Sequence, residues 1–255
     1  MSILDLFKKQ NNTILELVKT NTFLPSAGNT TLEFSGTDTK ELFEQNLLTQ
    51  PKKWHYRTNL VNYKLNNHGY RTYNFNEIDW AESVVIFGCS HVFGDGVDDA
   101  DTLASQLNKI VGIPVINLGM GGTSMMYSLH NSIILRNGYP IPKGIVHLWT
   151  SPDRSTYYYK NNLHHGGPWN MTPNSYADKW TTDLVHGKCH AVLASMTSKL
   201  LWQDTKYYEA SYWKDVAKLL KCDWIRKVDR ARDLKHPGIQ ANYKLAVNIA
   251  KKLQL

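Results

Sequence analysis

The chain has 255 residues, a formal net charge of +7 at pH 7 and three cysteines, Cys89, Cys189 and Cys222. That length suffices for one well-buried core with additions, and an odd cysteine count without repeated spacing argues against a disulfide framework and for reduced thiols. The charge favours anionic partners, but Lys8-Lys9, Lys52-Lys53 and Lys251-Lys252 are scattered and no nucleic-acid-binding motif is present, so no specific nucleic acid is expected as a partner. No apolar run approaches the roughly 18–20 residues of a membrane span. The amino end, Met1-Ser-Ile-Leu-Asp-Leu-Phe-Lys-Lys9, has the wrong charge order for a signal peptide, so a cytoplasmic location is expected.

Taken in chain order, Leu4, Phe7, Ile14, Leu15 and Val18 predict an amphipathic helix over Ile3 to Val18, able to pack on the core or on a partner. Asp38-Thr-Lys-Glu41 is a capping-box pattern that starts a second helix, ending before Pro51. Asn59 to Leu65 and Tyr70 to Phe75 alternate with a period of two around Asn66-Asn-His-Gly69, which predicts a hairpin. Residues 1–80 therefore read as an extension packed on a core domain of residues 81–255.

Within that domain, Ser83 to Phe87 is a short β-branched run, a buried parallel strand. A helix over Thr102 to Val111 carries Leu103, Leu107 and Ile110 on one face, and a strand begins at Val115. Met125, Met126, Leu129 and Ile133 form a core-facing helix stripe, and Gly144 to Trp149 is the next strand. From Ser155 to Thr181 the composition turns to Tyr, Asn, His, Gly and Trp without periodicity. A long loop insertion spanning about 155–190 is expected there, with aromatic rings and asparagines suited to sugar. Ala191 to Trp202 and Tyr207 to Leu220 read as helices, Asp223 to Val228 as the last strand, and Ile239, Tyr243, Ala246, Ala250 and Leu253 as one face of a closing helix. Alternating strands and helices define a three-layer α/β/α domain on a parallel sheet.

Three segments carry chemistry. Ser90, in Phe87-Gly-Cys-Ser90-His-Val-Phe-Gly94, sits just past the carboxyl end of a strand, the edge at which open α/β sheets bind ligands. In Asp233-Leu-Lys-His236-Pro-Gly238 a carboxylate three residues before a histidine can hold one ring nitrogen and leave the other to take a hydroxyl proton. In Val115-Ile-Asn117-Leu-Gly119-Met-Gly121-Gly122-Thr123-Ser124 the Gly122 amide is unobstructed and could face an oxyanion. The chain lacks the Gly-x-x-x-x-Gly-Lys-Ser/Thr spacing of a phosphate loop. Asp95, Asp98, Asp99 and Asp101 do not have EF-hand spacing, and His186-Gly-Lys-Cys189-His190 lacks a second zinc pair. Neither a metal nor a cofactor is expected.

In chain order the three segments resemble the first, second and fifth sequence blocks of the SGNH/GDSL hydrolase family, with Ser90 in the first, Gly122 in the second and Asp233/His236 in the fifth. The likeness runs from about Ser83 to Leu255, and Asn-His-Gly-Tyr-Arg71 also resembles a signature preceding the nucleophile block in bacterial and phage members, with Asn66 or Asn67 in its first place. The resemblance implies a flavodoxin-like sheet and a serine esterase in which Ser90 is nucleophile, His236 base and Asp233 its partner. It implies an oxyanion hole of the Ser90 and Gly122 amides. Asn117 and Gly119 match the lead into the second block, and Asn117 and His91 stand as candidate substrate contacts.

Three departures accompany the match. Cys89 stands where aspartate is usual, and Leu234 where glycine usually follows the aspartate. The strand ending at Trp149 runs into Thr150-Ser-Pro-Asp-Arg154 without the Gly-x-Asn-Asp that holds the family's oxyanion asparagine. Thr150 or Ser151 could donate a hydroxyl instead, less preorganised than an amide, and Arg154 could bind an anionic group of the substrate. The expected activity is hydrolysis of a carboxylic ester, with an O-acyl or O-acetyl glycan as substrate. The alternative is a weak or inactive relative that binds glycan, or a structural component of a larger assembly such as a virion, docked through the amino-terminal helix or as a homo-oligomer.

Overall fold

The computed structural model describes residues 28–159, 162–170 and 184–255; the predicted helix over Ile3 to Val18 lies outside them. Short runs of Val, Ile and Leu favour strands covered on both faces, and three such runs become adjacent strands of one sheet: β3 (Val84–Gly88), β4 (Val115–Gly119) and β5 (Gly144–Trp149). They follow β1 (Thr31–Leu32) and β2 (Tyr63–Lys64) of the extension. With β8 (Lys206–Ser211) and β9 (Asp223–Trp224) they form a five-stranded sheet in the order β4-β3-β5-β8-β9, parallel throughout. This is the flavodoxin-like order, whose switch point lies where β3 is flanked by β4 and β5.

Alternate residues along β3 face opposite layers, as a period of two requires. Val84 and Ile86 pack with Leu103 and Leu107 of α3 (Leu103–Val111) and with Leu245, Ile249 and Leu253 of α7 (Ile239–Leu253). Val85 and Phe87 pack with Leu135 of α4 (Met125–Gly138) and with Trp202, just past α5 (Leu184–Leu201). Burying each large side chain contributes about 1.5–3 kcal/mol. The one-turn helix α2 (Ser90–Phe93) follows β3 and lies directly on β4. A Cβ on Gly119 would sit 2.5 Å from the Phe93 nitrogen and 2.6 Å from Val92 Cβ, so the small residue in β4 sets how closely Ser90 approaches the sheet.

Several expectations are corrected. Tyr207 to Ser211 is strand β8, not helix; helix resumes only in α6 (Lys214–Leu220). The Tyr-Tyr pair and the pairing with β5 decide this, since short apolar runs do not separate the two states by periodicity. The predicted loop after Ser155 begins as an antiparallel hairpin, β6 (Ser155–Tyr159) with β7 (Asn162–Gly166), and α5 starts seven residues before Ala191. The predicted hairpin between Asn59 and Phe75 does not form: β2 pairs with β1 instead. The turn at Gly69 is present, but the Asn66 side chain bonds the Tyr73 carbonyl at 2.8 Å and the His68 and Tyr70 amides at 2.9 Å each, replacing a ladder with side-chain bonds. The cap of α1 (Lys40–Thr49) is Thr39, whose Oγ1 accepts from the Leu42 amide at 3.2 Å, not Asp38. On α7, Tyr243 is exposed, and the buried face runs instead through Ala241, Leu245, Ala246, Ile249 and Leu253.

One core residue makes stability pH-dependent. His147 of β5 is fully buried, stacked 4.8 Å from the Phe87 ring and 4.5 Å from the Trp149 ring. Neither ring nitrogen has a hydrogen-bond partner among the described residues. Burial holds the ring down to about 3, whereas an unfolded histidine titrates near 6.5. Between these values the unfolded chain binds the extra proton, so this contribution falls as pH falls from about 6.5, by about 1.4 kcal/mol per unit. Urea unfolding of His147→Phe at pH 7 and pH 4.5 should show about 2–3 kcal/mol less acid sensitivity than the parent. Equal pH dependence in the two proteins would refute this role.

Candidate active site

Ser90 is the first residue of α2, just past the carboxyl end of β3, with Cys89 as the cap. His236 and Asp233 lie in the turn before α7. Folding brings these residues together across 146 positions of sequence: Ser90 Oγ is 2.7 Å from His236 Nε2. On the other side of the ring, His236 Nδ1 is 2.5 Å from Asp233 Oδ2. All three residues are buried.

Asp233 is held from every side. Its Oδ1 accepts the amides of Lys235 and His236 at 3.0 Å each, and Thr37 Oγ1 donates to its Oδ2 at 2.7 Å. Burial opposes the ionised carboxyl, but the bond and charge of His236 and the Thr37 hydroxyl outweigh it and keep Asp233 well below the ordinary carboxylate range. An ionised Asp233 fixes the proton on Nδ1 and leaves the Nε2 lone pair facing the serine. Leu234, between the two residues, adopts φ 57°, a left-handed conformation that lets its neighbours' side chains turn to one side.

The neighbouring residue Arg232 anchors this turn to the extension. Its guanidinium pairs with Asp38 through Nε at 3.0 Å and Nη2 at 2.7 Å, both side chains almost fully buried. Tyr63 donates to the same carboxylate at 2.5 Å, and Asn46 Nδ2 donates to the Arg232 carbonyl at 2.9 Å. The segment that supplies Thr37 and Asp38 thus borders the triad.

The other predicted residues fall in different places. The Ser90 amide opens α2 and so lies outside the helix's own bonding. Gly122, at φ 73°, lies in the turn after β4, where Gly121 borders open space. Thr150 is buried at the end of β5 and its hydroxyl has no hydrogen-bond partner among the described residues. Ser151 is half-buried and shares a small crevice with Arg154, Ser124 and His190. The Arg154 guanidinium lies 5.2 Å from the Trp169 ring and 5.8 Å from the Trp213 ring, and its Nη1 has no hydrogen-bond partner among the described residues. His91 is buried, its ring 4.9 Å from His236, 4.9 Å from Tyr212 and 4.8 Å from Trp213. Burial, then the nearby charges of His236, Lys227, Arg154 and Arg230, hold His91 well below the ordinary histidine value, so it is neutral.

Asn117 is a correction. Its Nδ2 donates to the Val92 carbonyl at 2.9 Å and its Oδ1 accepts the Gly119 amide at 3.0 Å, so this buried side chain ties α2 to β4 and is not a surface contact for a substrate.

Thr37, Asp95, Tyr212 and Trp213 border the site without having been singled out for it. Gly94-Asp-Gly96, an acidic residue between two glycines just after the nucleophile, was the signal available for Asp95. Nothing local marks Thr37, whose bond to Asp233 spans 196 positions. Among the described residues no cluster of three or more His, Cys, Asp or Glu side chains could hold a metal, and no helix is long and apolar enough to cross a membrane. A cavity of about 400 Å³ lined by Lys64, Arg71, Asp99 and Lys109 lies elsewhere, and no triad residue lines it.

Fold and site together define an α/β protein with a Ser–His–Asp cluster at the carboxyl edge of a flavodoxin-like sheet. Among solved structures, the chain is similar to a carbohydrate esterase family 2 enzyme with a carbohydrate binding domain from Corynascus thermopiles (Myceliophthora fergusii), at 12% identity and TM-score 0.43 over 68% of this chain and 67% of that one. A Bacteroides uniformis protein named as a GDSL-like lipase is 12% identical, TM-score 0.42, over 68% and 96% of the two chains. An acetyl xylan esterase from the rumen bacterium Butyrivibrio proteoclasticus is 8% identical, TM-score 0.44, over 69% of this chain and 65% of its own. No family model matches the sequence, and no curated protein matches it. At these identities the likeness concerns chain path alone, and the chemistry has to come from the side chains.

Proposed function

We propose that this chain is a serine hydrolase of the SGNH/GDSL type that cleaves a carboxylic ester, with an O-acyl or O-acetyl group on a carbohydrate as its substrate. The observation that carries this reading is the continuous relay from Ser90 Oγ through His236 to Asp233, at 2.7 and 2.5 Å. His236 Nε2 takes the Ser90 proton as Oγ attacks the ester carbonyl, and Asp233 stabilises the charged ring. The Ser90 and Gly122 amides face the carbonyl oxygen as it becomes negative, each such donor contributing roughly 3–4 kcal/mol. Nε2–H then protonates the departing alcohol oxygen, leaving an acyl-serine. Water activated by the same nitrogen attacks this acyl group and regenerates Ser90.

Thr150 supports the reading in a particular way: among the described residues its buried hydroxyl lacks a partner at the sheet edge, and it takes the place of the family's asparagine as third donor. Because a hydroxyl rotates, turnover is expected below that of a site with a fixed amide. Arg154 and Trp213, with His91 behind them, form the wall proposed to contact the alcohol part of the substrate, ring faces stacking on sugar. Release of acetate from an acetylated xylo-oligosaccharide, alongside hydrolysis of p-nitrophenyl acetate, tests both halves. Hydrolysis of the aryl ester alone removes the carbohydrate assignment, and hydrolysis of neither removes the esterase.

A further inference from the structure

His236 is flanked by two carboxyl groups, and only one of them belongs to the relay. Asp95 Oδ2 lies 3.9 Å from Nε2, the nitrogen that also faces Ser90. Asp95 is buried, and its Oδ1 has no hydrogen-bond partner among the described residues. It is fixed in place by its surroundings: its amide donates to the Ser90 carbonyl at 3.2 Å. The next residue, Gly96, donates to Tyr63 Oη at 2.7 Å and accepts the Arg232 amide at 2.9 Å. Gly36 closes over it, where a Cβ would lie 2.5 Å from Oδ2 at a backbone φ of +61°. Nearby cations are engaged elsewhere, Arg71 with Asp99 and Arg232 with Asp38. A carboxyl so enclosed and so poorly bonded is not a structural tie.

We propose that Asp95 is a positioning residue of the relay: its ionised carboxylate, on the serine side of the imidazole, stabilises the charged ring formed when His236 takes the Ser90 proton, and its protonated form does not. The proposal rests on the serine hydrolase reading above and adds a second control to it. No covalent bond to Asp95 forms or breaks; the one proton that moves goes from Oγ to Nε2. The groups that set the charge of Asp95 are His236 and Asp233 from the turn before α7, Arg71 from the segment between β2 and β3, Asp38 ahead of α1 and Tyr63 of β2. Burial, the largest influence, pushes Asp95 up to about 7 despite the opposing pull of His236. The carboxylate therefore forms as pH rises through neutrality.

The test is the rate at which a fluorophosphonate labels Ser90, followed from pH 5 to 9 in the parent and in Asp95→Asn, which has the shape of the protonated acid. The parent-to-variant rate ratio should stay near one below about pH 6 and climb to about 10-fold or more above pH 8, one pKa unit of lost ring stabilisation being tenfold. Asp95→Ala, which removes the carboxyl altogether, should follow the same curve if the asparagine variant folds poorly. A ratio that is constant across pH, whether one or far from one, overturns the role of Asp95 while leaving the hydrolase reading intact. Absence of label on Ser90 in the parent at every pH overturns the hydrolase reading and the proposal with it.

Discussion

Ser90→Ala should lower kcat for an activated acetate ester by about 10⁴–10⁶-fold while leaving the unfolding midpoint within about 1 kcal/mol of the parent. Among the described residues the hydroxyl's hydrogen-bond partners are the His236 ring at 2.7 Å and Cys89 Sγ at 4.0 Å, so removing it takes away the reacting atom without opening the core. Asp233→Asn should fall nearly as far, by about 10⁴-fold, because an amide no longer compels the proton to sit on Nδ1. The same change disturbs the Thr37 hydroxyl and the two amides that Asp233 accepts, so some loss of stability accompanies it. Stopped assays with purified proteins decide the matter. Rates for Ser90→Ala equal to the parent would place any hydrolysis elsewhere on the protein.

The largest stability effect is expected at Asp38. Replacing it with alanine leaves the Arg232 guanidinium almost fully buried without its carboxylate, and breaking a buried pair from one side destabilises by about 3–5 kcal/mol. The Phe34 and Phe43 rings, 4.5 and 5.1 Å from that guanidinium, supply only part of the compensation. Asp38→Ala combined with Arg232→Met should recover most of the loss, since no charge is then left in the interior. Urea unfolding of the three variants measures it. Because Arg232 precedes Asp233, the single variant should also lose activity at temperatures where it is still folded. If Asp38→Ala unfolds within about 0.5 kcal/mol of the parent, the pair does not anchor the catalytic turn.

Three sheet strands were legible because Val84 to Phe87 is an unbroken apolar run, and Val115 to Leu118 and Ile145 to Trp149 are apolar runs interrupted once each, by Asn117 and His147, all too short for helices. Ser90, Asp233 and His236 were legible for a different reason: each sits at a glycine- or proline-bearing turn next to a strand or helix end, where side chains are exposed to ligands. Tyr207 to Ser211 was misread because its burial comes from pairing with β5, about sixty residues away, and not from any local period. The same limit hid the support of the site. Thr37, Gly36 and Asp38 look like an ordinary loop and cap, and only the folded chain brings them to Asp233, Asp95 and Arg232. Asn117 failed in the opposite direction: a polar residue inside a buried strand invited a ligand, but the carbonyl of Val92 and the amide of Gly119 had already claimed it.

The central claim is that Ser90 becomes acylated through His236. Mixing the protein with p-nitrophenyl acetate, quenching in acid within the first turnovers and mapping the peptides by mass measures this directly. One acetyl group on the peptide containing Ser90, absent from His236→Ala, is the expected result; ester consumed with Ser90 unmodified, or the acetyl found on Cys89 or a lysine, would contradict it.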